Sequence, residues 1–365
     1  MSIPAVTAPA GAAVRQWRLQ HRWQGAVDRA ALAGCREALA AHGIALVDAD
    51  EASADAVKMH GAVLADTAVR QAPALLDLSA LARADAWADR LPRWLCAFAS
   101  HAGAWYGVPM GVHRSNVVWL APRDAAALGP QPLRDAEDLL AVLARARPRL
   151  PKPLAVGREP WQIGALFETL LLAQAGPEVY RHALVALSPA ALRSAAFVRT
   201  LQLLTALREF ADDAALHLPW DAQRARVARG EAALQVMGDW SAALPGPALQ
   251  ARPAGAGFIA VADFIVPLAR GDAPTARAAA AVLAQDAHQQ RYGALKSCRP
   301  AFGAAGADAA AGAGSEPWLP SLALEQCHPA QLTHALLQVL ADHFLQRRSG
   351  PATATVLADL AATRA

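Results

Sequence analysis

Apolar residues recur every three to four positions over long stretches of the chain, which is the spacing of an amphipathic α-helix. This pattern predicts helices over 28–41, 136–146, 161–175, 190–211, 276–286 and 329–347. Short apolar runs between them predict buried strands at 44–47, 104–109, 117–120, 233–237 and 258–267. Helices that alternate with short buried strands indicate a layered α/β fold, in which helices cover small sheets.

The composition is that of a folded protein. Of 365 residues, 55% are hydrophobic and 18% are charged, which is too apolar for an intrinsically disordered chain. The formal net charge is only +3, and the basic residues are scattered, so the chain lacks the basic patch expected of a nucleic-acid-binding protein. The length is sufficient for two lobes or for one large α/β unit.

Motifs for enzyme chemistry are missing from the sequence. It contains no G-x-x-x-x-G-K-[ST], G-x-G-x-x-G, G-x-S-x-G or H-E-x-x-H motif, which removes the main support for nucleotide-binding, hydrolase and zinc-peptidase functions. Neither the eleven histidines nor the four cysteines have metal-ligand spacing. We therefore expect no catalytic residue, no cofactor and no metal. A single disulfide, such as Cys298 to Cys327, stays open.

Residues 1–14 are expected to form a flexible N-terminus. They are small and apolar, but they lack the basic start and the leucine-rich core of an intact signal peptide. No stretch elsewhere is long and uncharged enough to span a membrane, so we expect a soluble protein. A run of small residues at 303–314 predicts a mobile surface loop.

Tryptophan is frequent for a chain with so few aromatic residues. There are ten tryptophans in a composition that is 6% aromatic, and Trp23, Trp161 and Trp240 each lie beside polar or turn residues. An indole face stacks on the apolar C–H face of a pyranose ring while neighbouring polar groups bind its hydroxyls, so such clusters suit carbohydrate sites. The composition alone favours the other interpretation, in which these tryptophans fill the core.

Three segments carry a resemblance to a known family: 104–119 (AWYGVPMGVHRSNVVW), 160–180 (PWQIGALFETLLLAQAGPEVY) and 230–240 (GEAALQVMGDW). In order and spacing they resemble the extracellular solute-binding proteins of bacterial ABC importers, most closely the glucose/mannose-binding type. The resemblance implies an α/β, two-lobe periplasmic-binding-protein fold of the Venus flytrap (type II) class, with a hinge cleft that closes on the ligand. It implies a lobe 1 of 15–113 plus 242–296, shortened relative to the family, and a lobe 2 of 114–241 plus 297–365.

The resemblance also implies a set of ligand-binding residues. At the family's positions stand Arg22, Trp23, Asp28, His60, His113, Arg114, Trp161, Gln162, Asp239, Trp240 and Lys296, and Asn116 is retained as well. Arg22 replaces a second tryptophan, Asp28 replaces a glutamate, and His60 stands where the family has a lysine. The strand at 260–264 lacks the family's asparagine.

These departures change the expected ligand. Each lost hydrogen bond to a sugar hydroxyl is worth roughly 0.5–1.5 kcal/mol, so we do not expect tight glucose binding. Arg22, His60 and Lys296 would give the cleft a positive charge, which favours an anionic ligand such as a sugar acid or another carboxylate.

The resemblance implies reversible binding of a small polar ligand, a carbohydrate or sugar derivative, for delivery to an ABC permease. It implies a periplasmic monomer without enzyme activity, although the missing signal peptide leaves a cytoplasmic location open. The alternative is a degenerate member that acts as a sensory or scaffold subunit and binds a membrane partner such as a sensor kinase.

Overall fold

Two units make up the chain in the structure, a computed structural model that describes residues 14–23, 25–128, 133, 135–302 and 317–363. The first unit consists of Met1–His113 and Ala262–Ser315, and the second of Arg114–Val261 and Glu316–Ala365. The chain therefore passes from one unit to the other three times. Each unit contains both strands and helices.

The strands and helices are numbered here in chain order. The strands are β1 (Arg15–Gln20), β2 (Ile44–Asp48), β3 (Ala56–His60), β4 (Ser100–His101), β5 (Ala104–Trp105), β6 (Val108–Arg114), β7 (Val117–Leu120), β8 (Leu154–Ala155), β9 (Leu234–Met237), β10 (Gln250–Pro253), β11 (Phe258–Pro267) and β12 (Trp318–Pro320). The helices are α1 (Ala26–Ala40), α2 (Gly61–Gln71), α3 (Ser79–Ala84), α4 (Trp87–Arg90), α5 (Arg93–Ala99), α6 (Pro122–Leu128), α7 (Ala136–Ala146), α8 (Pro160–Tyr180), α9 (Pro189–Leu192), α10 (Ala195–Leu207), α11 (Trp220–Ala228), α12 (Ala273–Leu283), α13 (Asp286–Lys296), α14 (Ala330–Gln346) and α15 (Gly350–Ala362).

The sheet of the first unit is built around β1. This strand pairs in parallel with β2 on one side and with β3 on the other, and it buries alternate residues, Trp17 at 1% and Leu19 at 0% exposure. Such alternation is expected where side chains point in turn to opposite faces of a sheet. The second half of β11 pairs antiparallel with β3, which puts Asp263 opposite His60.

The second unit combines a small sheet with a helical core. Its four strands have the order β10-β7-β9-β8, and Val117 on β7 stands opposite Met237 on β9. The core lies among α8, α10, α14 and α15. The Ser194 hydroxyl accepts a hydrogen bond from the Phe197 N–H (3.2 Å) and so caps the start of α10. The helix α8 is kinked at Gly176, where φ is 78°.

The predicted elements agree with the structure most closely in the interior. The segments 117–120, 136–146 and 258–267 form β7, α7 and β11 with the predicted bounds. The segment 190–211 is not one helix, because α9 ends at Leu192 and the Ser194 cap starts α10. The strands β1 and β3 were not predicted.

The division into units differs from the predicted lobes in two segments. Residues 242–261 belong to the second unit because β10 pairs with β7 in its sheet. Residues 297–302 belong to the first unit, because Arg299 and Val112 exchange backbone hydrogen bonds of 3.0 and 2.8 Å. The first passage, between His113 and Arg114, lies where the lobe boundary was expected.

No disulfide joins Cys298 to Cys327 in the structure. Cys298 belongs to the first unit and Cys327 to the second, and the Cys327 thiol donates to the Pro320 carbonyl instead (3.1 Å). Burial raises the pKa of Cys35 to about 12 and that of Cys327 well above its usual range. Both thiols therefore stay protonated at neutral pH, which makes them poor nucleophiles.

None of the helices in the described part of the chain combines the length and the apolar surface needed to cross a bilayer. The predicted mobile loop at 303–314 and residues 1–13 of the predicted flexible N-terminus lie outside the described residues.

Candidate functional site

The first unit brings three of the predicted ligand-binding residues together. Lys296, the last residue of α13, donates through Nζ to Asp28 Oδ1 in the first turn of α1 (2.5 Å). The same ammonium lies 5.6 Å from the ring centroid of Trp23, within the range of a cation–π contact. Trp23 itself is 7% exposed. The ion pair and the indole thus form one partly buried polar site.

A second charged group lies on β3 and β11 of the same unit. Lys58 Nζ is 2.8 Å from Asp263 Oδ1 and 2.6 Å from His60 Nε2, and His60 Nε2 is 3.4 Å from the same carboxylate oxygen. Burial by itself raises the pKa of Asp263, but the Lys58 ammonium and the His60 hydrogen bond lower it by more. The pKa of Asp263 therefore lies well below its usual range, and the carboxylate is ionised.

Tyr292 lies near both groups. Its ring centroid is 6.3 Å from that of Trp23, and burial together with the negative charges of Asp263 and Asp28 raises its pKa well above the usual range. The Tyr292 hydroxyl and the Trp23 indole N–H are buried and have no hydrogen-bond partner in the described part of the chain. Buried polar groups of this kind are usually paired, so a water or a ligand hydroxyl fits here. The seven residues Trp23, Asp28, Lys58, His60, Asp263, Tyr292 and Lys296 are called the Tyr292 cluster below.

The second unit carries a group of tryptophans around its small sheet. Trp161, Trp220 and Trp240 are partly exposed, and all three pack on one apolar cluster around β7 and β9. They are called the tryptophan surface below. A fourth tryptophan, Trp119, is buried and belongs to the apolar cluster on which the other three pack. Its Nε1 donates to the Met237 carbonyl (3.1 Å).

Each tryptophan of this surface is the first or second residue of a helix or helical turn. Trp220 is the first residue of α11. Trp161 is the second residue of α8, and its Nε1 donates to Glu159 Oε2 (2.7 Å). Trp240 lies just after β9 and covers Gly238, where an added Cβ would stand 2.0 Å from the Trp240 ring. The indoles are therefore fixed by backbone geometry and close packing.

Arg114, the first residue of the second unit, is hydrogen-bonded to Asp239, the residue before Trp240. The Arg114 backbone N–H donates to Asp239 Oδ2 (2.8 Å), and the Arg114 guanidinium donates to the Gly257 carbonyl (2.9 Å) and lies 5.2 Å from the Phe258 ring centroid. Asn116 is fully buried, and its amide also donates to Gly257 (2.9 Å). Arg114 and Asn116 therefore tie together the backbone around the tryptophan surface.

A family model for bacterial extracellular solute-binding proteins matches residues 43–296, more than half of the chain. The chain belongs to this family.

Curated relatives of this solute-binding protein carry the name "Probable sugar-binding periplasmic protein". One from Brucella melitensis is 30% identical over 186 residues, which cover 51% of this chain and 44% of the relative. One from Rhizobium meliloti is 27% identical over 253 residues, covering 65% and 61%. The chain thus spans less than two thirds of the length of these relatives in each match.

Solved structures with a similar fold cover nearly the whole chain. A chitin oligosaccharide binding protein has a TM-score of 0.76 at 14% identity and covers 95% of this chain and 98% of its own. The structure of maltose-bound MalE3 of T. maritima has a TM-score of 0.73 at 13% identity, covering 96% and 100%. At such low identity the likeness concerns the fold, which is the two-lobe α/β fold of solute-binding proteins.

The structure distributes the predicted site residues of this solute-binding protein unevenly. Trp23, Asp28, His60 and Lys296 lie in the Tyr292 cluster of the first unit, whereas Trp161, Asp239 and Trp240 lie on or beside the tryptophan surface of the second. Gln162 is 2% exposed and ties the Gly157 N–H (3.1 Å) to Glu159 (3.1 Å), which is a structural role. Arg22 is exposed, and His113 is buried at the end of the first unit.

Of the three residues predicted to give a positive charge (Arg22, His60 and Lys296), His60 and Lys296 have carboxylate partners in the structure. Lys296 is bonded to Asp28, and His60 contacts the ionised Asp263. An anion gains little from a cation that already has a carboxylate partner, because the carboxylate repels it at nearly the same distance. Lys296 and His60 therefore offer an acidic ligand little net attraction.

Sequence reasoning missed Trp220, Asp263 and Tyr292. A signal for Trp220 was present, since Pro219-Trp220 repeats the Pro-Trp pair that begins α8, and Pro is common at helix starts. In the described ranges, no group of three or more His, Cys, Asp or Glu side chains is arranged to hold a metal ion.

Proposed function

We propose that this solute-binding protein binds a carbohydrate or sugar derivative reversibly and delivers it to an ABC importer. The observation that carries the proposal is the tryptophan surface, on which Trp161, Trp220 and Trp240 share one apolar support. Rigid, partly exposed indoles stack on pyranose rings at small cost in conformational entropy. The names of the relatives from Brucella melitensis and Rhizobium meliloti support the same ligand class.

The remaining features of the proposal follow from the family. We place the protein in the periplasm, as the names of the relatives describe, where it acts as a monomer that binds and releases its ligand without chemical change. The relatives named above are described as sugar-binding periplasmic proteins, which does not support the alternative of a sensory or scaffold subunit.

The test is a fluorescence titration of the purified protein with neutral and acidic mono- and oligosaccharides. Saturable quenching or a shift of tryptophan emission by at least one of them is expected, because the partly exposed indoles are the contact surface. Trp240→Ala should weaken the affinity for that sugar about tenfold or more, from the loss of stacking and buried apolar area.

A matched control is Trp94→Ala, which removes a partly buried tryptophan of the first unit that packs edge-on against Phe98 (6.0 Å). This variant should retain the affinity of the unmodified protein. Absence of binding to every saccharide tested, or an equal loss of affinity in both variants, would contradict the proposal.

A further inference from the structure

Arg224, on α11 of the second unit, is a buried cation without a counter-ion. It is 4% exposed, and in the described part of the chain its one hydrogen bond runs from Nε to the Ser241 carbonyl (3.0 Å). Burial lowers the pKa of Arg224, and no neighbouring charge opposes that effect. A buried charge is costly unless an opposite charge compensates it.

Other buried arginines of the same unit do have such compensation. Arg226, two residues later on α11, donates to Asp212 Oδ2 (2.8 Å), and Arg208 is paired with Asp213. The fold therefore supplies carboxylates where an arginine has only a structural role. Arg224 differs because no carboxylate pairs with its guanidinium among the described residues, where its one acceptor is the Ser241 carbonyl.

The position of Arg224 connects it to the tryptophan surface. It follows Trp220 by four residues on α11, so both side chains lie on the same face of that helix. On the other side it is hydrogen-bonded to Ser241, the residue after Trp240. The buried Ser241 hydroxyl and the Gln235 Oε1 atom also lack partners in the described chain, and the Gln235 amide donates to the Trp220 carbonyl (2.8 Å). Polar groups that lack a partner in the described chain therefore lie close in sequence or by hydrogen bond to both Trp220 and Trp240.

We propose that Arg224 binds an oxyanion carried by the sugar, so that the ligand class of this solute-binding protein is an acidic saccharide. The proposal rests on the carbohydrate-binding function proposed above. The guanidinium fork matches a planar carboxylate in a bidentate arrangement, and the flanking indoles of Trp220 and Trp240 accept the pyranose ring that carries it. A sugar acid and a sugar phosphate share this chemistry, and the experiment separates them.

Isothermal titration calorimetry measures the affinity for glucose, glucuronate, galacturonate and glucose 6-phosphate. The unmodified protein should bind at least one acidic sugar about tenfold or more tightly than the neutral one, because a charge-assisted pair of hydrogen bonds is added. Preference for the uronates would identify a carboxylate as the anion, and preference for the phosphate would identify a phosphate ester. That affinity should fall as salt is raised, whereas the affinity for glucose should not.

Substitutions of Arg224 test whether this residue causes the preference for acidic sugars. Arg224→Gln should remove the tenfold preference for the acidic sugar, and Arg224→Lys should retain only part of it. The matched control is Arg229→Gln, which removes a cation from the same helical region that is already paired with Glu231 (2.6 Å). It should leave every affinity unchanged.

Three outcomes would overturn the proposal. Tighter binding of glucose than of any acidic sugar contradicts it while supporting carbohydrate binding. Retention of the acid preference in folded Arg224→Gln also contradicts it. Lack of binding to every sugar contradicts both the proposed function and this inference. Should Arg224→Gln not fold, the sugar preference and salt dependence of the unmodified protein decide the question.

Discussion

Glu168 offers a sharp test of how burial controls charge in the second unit. It lies on α8, and its carboxyl group is surrounded by hydrogen-bond donors: Ser115 Oγ, Ser321 Oγ, Tyr180 Oη and the backbone N–H groups of Leu322 and Ala323. Burial raises the pKa of Glu168 to about 7, although these hydrogen bonds oppose the rise. The titratable groups that face it are Tyr180 and Cys327.

The sign of the effect follows from the two pKa values. In the unfolded chain the carboxyl group titrates near its ordinary pKa of 4.5, and in the folded protein near 7. Between these values the folded state holds a proton that the unfolded state releases. This contribution to stability is therefore fully present below pH 4.5 and is lost as the pH rises to 7. Its full size is about 3 kcal/mol, because each pKa unit corresponds to about 1.36 kcal/mol.

The assay compares urea unfolding of the unmodified protein and Glu168→Gln at pH 5, 6, 7 and 8. Glutamine can donate to the two serine hydroxyls and accept from the two backbone N–H groups, so it resembles the protonated acid. The free energy of unfolding of the unmodified protein should fall relative to that of the variant by up to about 3 kcal/mol across this range. Taking the difference removes the opposing contributions of buried histidines such as His343, whose pKa burial lowers.

Glu178→Gln provides the matched control, since Glu178 is an exposed residue of the same helix that pairs with Arg181 (2.8 Å). Its unfolding should follow the pH dependence of the unmodified protein. A pH profile of Glu168→Gln parallel to that of the unmodified protein would refute the reasoning, and so would a difference of opposite sign, which would mean that the hydrogen bonds outweigh burial.

Two further predictions concern the site residues of each unit. Gly238→Ala places a methyl group about where the Trp240 ring lies, at 2.0 Å, so the ring must move; the affinity for the bound sugar should fall about tenfold or more in a titration, while a far-ultraviolet circular dichroism spectrum stays unchanged. Lys296→Met leaves Asp28 without its ion-pair partner and should lower the free energy of unfolding by about 1–3 kcal/mol in urea. The double variant Asp28→Leu/Lys296→Met should recover part of that loss because it also removes the unpaired carboxylate, and a double variant no more stable than Lys296→Met would contradict this reasoning.

Hydrophobic periodicity predicted those elements whose residues are buried on a regular face. The strand β11 is buried along its whole length and apolar except for Asp263, and Asp135 caps α7 at the predicted start (2.9 Å). The strand β1 was not predicted because only two of its six residues, Trp17 and Leu19, are buried, which is too short a pattern to stand out. Whether such a segment forms a strand depends on the strands with which it pairs, and these lie elsewhere in the sequence. The residue pattern of the segment itself does not contain that information.

In the candidate site, too, residues within short motifs could be predicted from the sequence, whereas their partners far away in the chain could not. Resemblance to the family pointed to Trp23, Lys296 and Trp240, because each belongs to a short motif. The partners of the charged groups lie far away in the chain: Lys296 and Asp28 are 268 positions apart. Whether a cation is neutralised is decided by folding, so the charge of a site cannot be read from the motif that supplies its cation.

This distinction separates the two units in what each offers a ligand. In the first unit Lys296 and Lys58 are already bonded to carboxylates, so their charge is largely cancelled for an incoming anion. What remains there are acceptors and the buried Tyr292 hydroxyl, which suit neutral hydroxyl groups. In the second unit Arg224 retains an uncompensated charge beside stacking surfaces. An anionic group on the sugar should therefore gain most binding free energy beside Arg224, which has no carboxylate partner. Substitution of Arg224, and not of Lys296, should change the preference for acidic sugars.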